Sequence, residues 1–309
     1  MKVIYVTGIS GFVGLNLLRT LGKKFEIRGI SRHPVGIDNC ISYEDFFMTG
    51  NGEEYGLVHL AGKAHDLKKV STEKEYFEAN YSLTKKLYDK FLSDDSCKCF
   101  IFLSSVKAVT DVVNDILFED EAYHPTTAYG KSKMMAEKYI MDNSPSGKSV
   151  YILRPCMIHG PGNKGNLNLL FSFANHGIPY LLAAFENKRS FLSIDNLLFV
   201  IEQLLLRSIP SGIYNVADDD AFSTNEIIKL MAESLNRKIQ LIKVPRVFID
   251  LVAKVGDKIN LPLNTERLGK LTENFIVSNW KLKFALNSEL PISTKEGLLK
   301  TFDSFKKIS

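Results

Sequence analysis

Only four cysteines occur in 309 residues, at positions 40, 97, 99 and 156. Cys97 and Cys99 flank one residue at the start of a strand, where alternation places both side chains on one side. No second cysteine pair or histidine pair completes a zinc set, so no metal is expected and the four read as reduced thiols of a cytoplasmic protein. Long apolar runs are missing too. The longest, near residues 197–206, is interrupted by charge and too short to span a bilayer, which argues against a membrane partner. The sequence enters a strand at once, without a charged leader and apolar run, so neither a signal nor a transit peptide is expected. Charge of one sign is scarce: 39 Lys and Arg against 35 Asp and Glu leave a scattered +4. That is too little for a nucleic-acid partner, and Lys68-Lys69 and Lys85-Lys86 read as solvated helix faces. Repeats, low-complexity runs and linkers are absent as well.

Against these absences stand 45% hydrophobic and 24% charged residues, ordinary for a globular chain long enough to bury a large core. Short β-branched runs at 3–7, 26–30, 57–60, 100–103 and 150–153 alternate with helical stretches, the pattern of a parallel sheet covered on both faces. A weak third strand is expected near 40–43, and 45–54 is polar and poor in pattern. Long helices are expected at 73–91 and 127–141. After Gly162 the alternation stops.

Two motifs carry chemistry. Strand 2–7 runs into Gly8-Ile9-Ser10-Gly11-Phe12-Val13-Gly14 and then a helix. Here Gly8 permits a tight turn, Gly11 a close approach of backbone to pyrophosphate, and Gly14 packing of helix on strand, while the helix N-terminus offers free N–H groups. The glycine spacing is three and three, not the two and three of the usual dehydrogenase fingerprint. Further on, Tyr129 and Lys133 lie four apart on one helix face. A phenol with an ordinary pKa of about 10 needs such a cation to act near neutral pH.

Together with these, several segments in order resemble the extended short-chain dehydrogenase/reductase family, in its NAD-dependent epimerase/dehydratase branch of nucleotide-sugar 4-epimerases and 4-ketoreductases. They are Val58-His59-Leu60-Ala61-Gly62, Asn80, Phe102-Leu103-Ser104-Ser105, Leu153-Arg154-Pro155, His159-Gly160-Pro161-Gly162, Arg189 to Asp195 and Gly212 to Val216. The resemblance implies an α/β fold, a Rossmann-type doubly wound parallel sheet with a smaller C-terminal substrate lobe. Residues 1–162, with 192–216 returning to them, would bind the dinucleotide. Residues 163–191 and 217–309 would form the lobe. It also implies a homodimer paired through the helices at 73–91 and 127–141.

The resemblance assigns Tyr129 to exchange a proton with the sugar oxygen and Ser105, preferred over Ser104 from its place after the strand, to hydrogen-bond that oxygen. Lys133 would hold the nicotinamide ribose and lower the tyrosine pKa. NAD or NADP would contact Gly8, Ser10, Gly11, Phe12, Val13, Gly14, Ser31, Arg32, Leu60, Ala61, Gly62, Asn80, Ser104, Tyr129, Lys133 and Pro155. Ser31 and Arg32 stand where NAD enzymes usually carry an acid, which tilts the choice toward NADP. Arg189, with its planar fork, would bind the substrate diphosphate, joined by Arg267 and Lys270. Lys63, His65 and Asp66 follow the fourth strand, where they could approach the cofactor or sugar, His65 reading rather as a loop residue with no catalytic part. His159 and Met157 depart from the tyrosine and asparagine of relatives. The expected reaction is hydride transfer at a sugar carbon, C4 by resemblance, in an epimerase or in a reductase of a 4-keto-6-deoxy sugar. Ser105-Val106-Lys107 lacks the Asp-Glu pair that follows the threonine of 4,6-dehydratases. A non-catalytic dinucleotide sensor or scaffold is the alternative of another class.

Overall fold

The computed structural model describes residues 2–34, 36, 38–48, 52–63, 72–113, 115–163, 165–259 and 264–306. The first half alternates β1 (Lys2–Thr7), α1 (Phe12–Leu21), β2 (Phe25–Ser31), β3 (Cys40–Ser42), α2 (Tyr43–Met48), β4 (Tyr55–His59), α3 (Glu73–Phe77), α4 (Leu83–Ser93) and β5 (Cys97–Leu103). Then follow β6 (Ile116–Leu117), α5 (Ala128–Asp142), β7 (Ser149–Pro155), β8 (Met157–His159), α6 (Asn166–Asn175), β9 (Arg189–Ser193), α7 (Ile194–Leu206) and β10 (Gly212–Val216). The last part holds β11 (Ala221–Phe222), α8 (Thr224–Ser234), α9 (Arg246–Ile259), α10 (Thr265–Thr272), β12 (Ile276–Val277), α11 (Trp280–Leu286) and α12 (Thr294–Lys306).

Seven strands pair in parallel in the order β10-β7-β5-β4-β1-β2-β3. Strand order reverses between β1 and β4, as in a doubly wound Rossmann sheet. Both faces are covered, which explains strands apolar at nearly every position rather than at every second one. Ile4, Val6, Ile101 and Leu153 pack on one face, and Tyr5, Leu57, Phe102 and Ile152 on the other. A separate apolar cluster joins α6, α8, α9 and α12, with Phe171, Ile228, Ile249 and Phe302 buried in it. A small sheet, β11-β9-β8, connects it to the large one.

Three expectations need correction. The polar stretch at 45–54 begins inside α2, where Phe46 is fully buried with its ring 5.1 Å from that of Tyr5. One aromatic anchor outweighs the weak pattern. The helix expected at 73–91 starts in a capping box at Thr72 and ends at Ser93, but Glu78–Ser82 is a π turn. Cys97 and Cys99 do not share a side. The register slips between Tyr55 and Gly56 opposite them, a bulge that breaks the alternation, so Cys97 packs on one face of the sheet and Cys99 on the other.

Candidate active site

The carboxyl ends of β1, β4, β5 and β7 converge at the reversal of strand order, where such sheets bind ligands. At the end of β1 the chain turns at Gly8, whose φ is +71° and whose absent Cβ would lie 2.7 Å from the Ala61 nitrogen. Only glycine fits. Gly14 is pressed onto the same turn, since a Cβ would come within 2.3 Å of the Gly8 oxygen. Gly11 differs: a Cβ there would meet only that oxygen, at 3.2 Å. The N-terminus of α1 has neither a side-chain cap nor an acid in its first turn, so the N–H groups of Phe12 and Val13 suit a phosphate, with Ser10 exposed beside them. At the end of β2, Ser31 is tied to the His33 backbone by a 3.2 Å bond and Arg32 is exposed.

After β4 the chain passes Leu60 and Ala61 to Gly62, where a Cβ would sit 2.8 Å from Asn80 Oδ1 and 3.2 Å from Lys133 Nζ. Asn80, buried in the π turn, accepts from the Lys63 N–H at 2.7 Å and donates to the Lys63 carbonyl at 3.1 Å and to Ser132 Oγ at 3.0 Å. It thus fastens the β4 turn to α5. Lys63 itself pairs with Glu75 at 3.2 Å; His65, Asp66 and Lys68-Lys69 lie outside the described residues. Beneath the turn, Thr84 donates its hydroxyl proton to the Asn80 carbonyl at 2.7 Å, so it accepts from His59 Nε2–H at 2.8 Å. Nδ1 of His59 then accepts from Thr7, at 2.7 Å, and Thr7 accepts from the Ala61 N–H at 3.1 Å. This chain needs a neutral imidazole. Burial, assisted by Lys133, pulls the His59 pKa down to about 3.

The two serines after β5 part company. Ser104 donates its hydroxyl to Glu137 and its N–H to the Leu153 oxygen, so neither of its donors is left for a ligand. Ser105 caps a short 3-10 turn by accepting from the Lys107 N–H at 3.2 Å and points into the cavity. Thr127 caps α5, and Gly130 lets its first turn approach, because a Cβ there would lie 2.4 Å from the Lys107 oxygen. That contact sets Tyr129 beside Ser105. Lys133, one turn on, is buried below the cavity, donating to the Leu103 oxygen at 2.8 Å with Phe102 under its ammonium at 4.6 Å.

Electrostatics depart from the expected lowering of the tyrosine pKa. Burial pushes the Tyr129 phenol up, hydrogen bonding to Ser105 pulls it down, and Tyr76 and Glu137 push it up again; the net shift is upward. Lys133 is not among the main influences on it, and its Nζ donates to the Leu103 oxygen. Burial pulls Lys133 itself down to about 8, against the opposing pull of Glu137.

Ser105, Tyr129 and Pro155 share a cavity of about 1370 Å³ with Arg189 and Arg267. Burial lowers the Arg189 pKa, opposed by Glu273. Arg267 is exposed on α10, and the side chain of Lys270 lies outside the described residues. Met157 also lines the cavity, whereas His159 is buried against Thr301 at 2.9 Å. Sequence reasoning missed Glu137, which takes Arg154 at 2.7 Å and the half-buried Tyr123 at 2.8 Å in a cluster that holds Ser104, with Glu137, Arg154 and Ser104 all buried. Its signal was present: Tyr129, Lys133 and Glu137 follow at intervals of four along α5. His59 offered no such signal.

A sequence model of the NAD dependent epimerase/dehydratase family matches residues 4–217. The UDP-glucose 4-epimerase of Vibrio cholerae is 30% identical over 98% of this chain and 95% of its own. N-acetyl-alpha-D-glucosaminyl-diphospho-ditrans,octacis-undecaprenol 4-epimerase of Escherichia coli O157:H7 is 28% identical over 78% and 75%. Among solved structures, a human epimerase family protein with NADPH superposes with a TM-score of 0.78 at 16% identity, covering 98% of this chain and 99% of that one.

Proposed function

Because the chain belongs to the NAD dependent epimerase/dehydratase family, and solved structures of its fold hold NAD or NADPH, we propose that it is a nucleotide-sugar 4-epimerase. The observation that carries the reading is that one cavity is lined by Ser105 and Tyr129 and by two arginines, Arg189 and Arg267. The residues present suit a dinucleotide: the open side of Gly11, the uncapped α1 terminus, and Gly62 against Lys133. When bound, the nicotinamide supplies the acceptor and donor of a hydride at the sugar carbon. Gly8, Gly11 and the N–H groups of Phe12 and Val13 hold the pyrophosphate, and Lys133, Asn80 and Gly62 shape the ribose side. Acting from its phenolate form, Tyr129 would take the proton from the C4 hydroxyl and return it afterwards, while Ser105, whose hydrogen bond opposes the upward shift of the phenol, bonds the same oxygen. Arg189 and Arg267 hold the diphosphate and keep the sugar within reach.

The test is product analysis by NMR with UDP-sugars deuterated at C4. An epimerase yields the C4 epimer with deuterium retained and no net cofactor consumed. Net consumption of reduced cofactor, with a 4-keto-6-deoxy sugar as acceptor, would make the protein a reductase instead. The lack of an acid beside Arg32 favours NADP over NAD, and Arg32→Ala should weaken NADP about tenfold or more while sparing NAD, since only NADP has a 2′-phosphate.

A second reading of the substrate has an observation of its own. The outer cavity wall is apolar, with Leu169, Phe173, Ile178 and Leu181 each 46% to 57% exposed. Such a wall suits a diphosphate carried on a polyprenol better than one carried on a nucleoside. Comparing turnover of UDP-linked and polyprenyl-linked sugars decides between them.

A further inference from the structure

Helix α9 is amphipathic with its broader apolar side outward. Its buried face is narrow, made of Ile249, Ala253 and Gly256. Val247, Phe248, Leu251, Val252, Val255 and Ile259 project outward, each between 45% and 77% exposed. At about 100° per residue the six form one stripe roughly 140° wide, the kind of stripe a globular helix normally turns to the core. Its neighbours extend it. The segment bearing Ile178 and Leu181 bridges, at Tyr180–Leu241 and Leu182–Lys243, to the chain that leads into α9. Eleven of the twenty exposed large apolar side chains among the described residues lie on α6, on α9 and on these paired segments. A concentration of exposed apolar side chains of this kind marks a docking site.

Charge identifies the occupant. Arg237, Lys238, Lys243, Arg246, Lys254 and Lys258 are all exposed, and residues 237–258 contain only two acids, Asp250 and Asp257. Their excess of four equals the net charge of the whole chain, leaving the remainder with equal numbers of each sign. A second copy docking through the same patch would bring these cations face to face with their own kind. An anionic surface would not be repelled.

We propose that this face docks on an anionic phospholipid membrane, with α9 in the plane of the interface, its apolar stripe among the acyl chains and its cations at the headgroups. No helix among the described residues is long and apolar enough to cross a membrane, so the contact is interfacial. The expectation of no membrane partner, drawn from the lack of a spanning segment, does not bear on such a contact. The proposal goes beyond the choice of substrate carrier and stands without it.

The test is flotation of the full-length protein with vesicles of phosphatidylcholine alone or mixed equally with phosphatidylglycerol. The protein should float with the anionic vesicles, much less with the neutral ones, and be released by 1 M salt. The pair Phe248→Glu and Leu251→Glu should lower the bound fraction at least tenfold, and Lys254→Glu with Lys258→Glu severalfold. Melting temperature and turnover of a soluble sugar nucleotide should stay as in wild type, because these side chains touch neither core nor cavity. Absence of wild-type flotation, or equal binding by both double variants, overturns the proposal. So does gel filtration in which the Phe248→Glu, Leu251→Glu protein becomes a smaller species than wild type, which would assign the patch to a second copy.

Discussion

A half-buried phenol and a buried ammonium one helical turn apart do not have to touch to cooperate. Tyr129 opens into the cavity with Ser105, while Lys133 lies against Gly62 and Leu103 on the side assigned to the cofactor. In the proposed mechanism, Tyr129→Phe removes the one group that moves a proton and disturbs little else. Turnover should fall at least about 100-fold while NAD(P) affinity measured by calorimetry stays within about threefold. Retention of a tenth of the activity would sink the assignment. His59 offers a test of structure rather than of catalysis. Its folded pKa near 3 lies below the ordinary 6.5, so between those values the unfolded chain binds the proton more tightly, and stability falls as pH drops through that window. At pH 5 the loss from this one group is about 2 kcal/mol relative to neutral pH. His59→Gln should lose stability at pH 7 yet flatten the acid limb of urea melts between pH 7 and 4. An unchanged slope would place the acid sensitivity elsewhere.

Among the elements, the β1 to α1 turn and the π turn do different work. The first leaves space; the second joins the β4 turn to the helix that carries Tyr129, through one asparagine. At Gly11 the backbone φ is −78° and a Cβ meets a single atom, so Gly11→Val should fold with a near-normal melting temperature. The rest of its branched side chain would fill the room through which pyrophosphate approaches the α1 N-terminus. Cofactor affinity is expected to fall by a factor of 100 or more. Calorimetry showing wild-type affinity in the folded variant would remove this turn from the site.

At the scale of the whole molecule, the cavity joins sheet-end groups to arginines carried by β9 and α10, more than thirty residues away in sequence. Arg189 is far from the reacting carbon in the proposed pose, so its interaction with diphosphate is similar in ground and transition states. Arg189→Ala should therefore raise KM about tenfold or more and leave kcat within a factor of about three. A fall in kcat with unchanged KM would move Arg189 from binding into the chemistry.

Local pattern determined the alternation of strands and helices, the glycine turn and the spacing of Tyr129 and Lys133, because each depends on residues within a few positions of one another. The same holds for Glu137, legible in the spacing but not read. Other features were settled by contacts between distant segments. The bulge that separates Cys97 from Cys99 arises from the pairing of β4 with β5. The difference between Ser104 and Ser105 follows from Glu137, and the neutral His59 follows from Thr7 and Thr84 on either side of it. The upward shift of Tyr129 is likewise tertiary, since charge spacing along a helix carries no information about how far that helix is desolvated. The apolar spacing of α9 is local too, but it went unread where the alternation stops after Gly162; only the packed lobe decided that its apolar stripe faces outward, because the core beside it is filled through Ile249, Ala253 and Gly256.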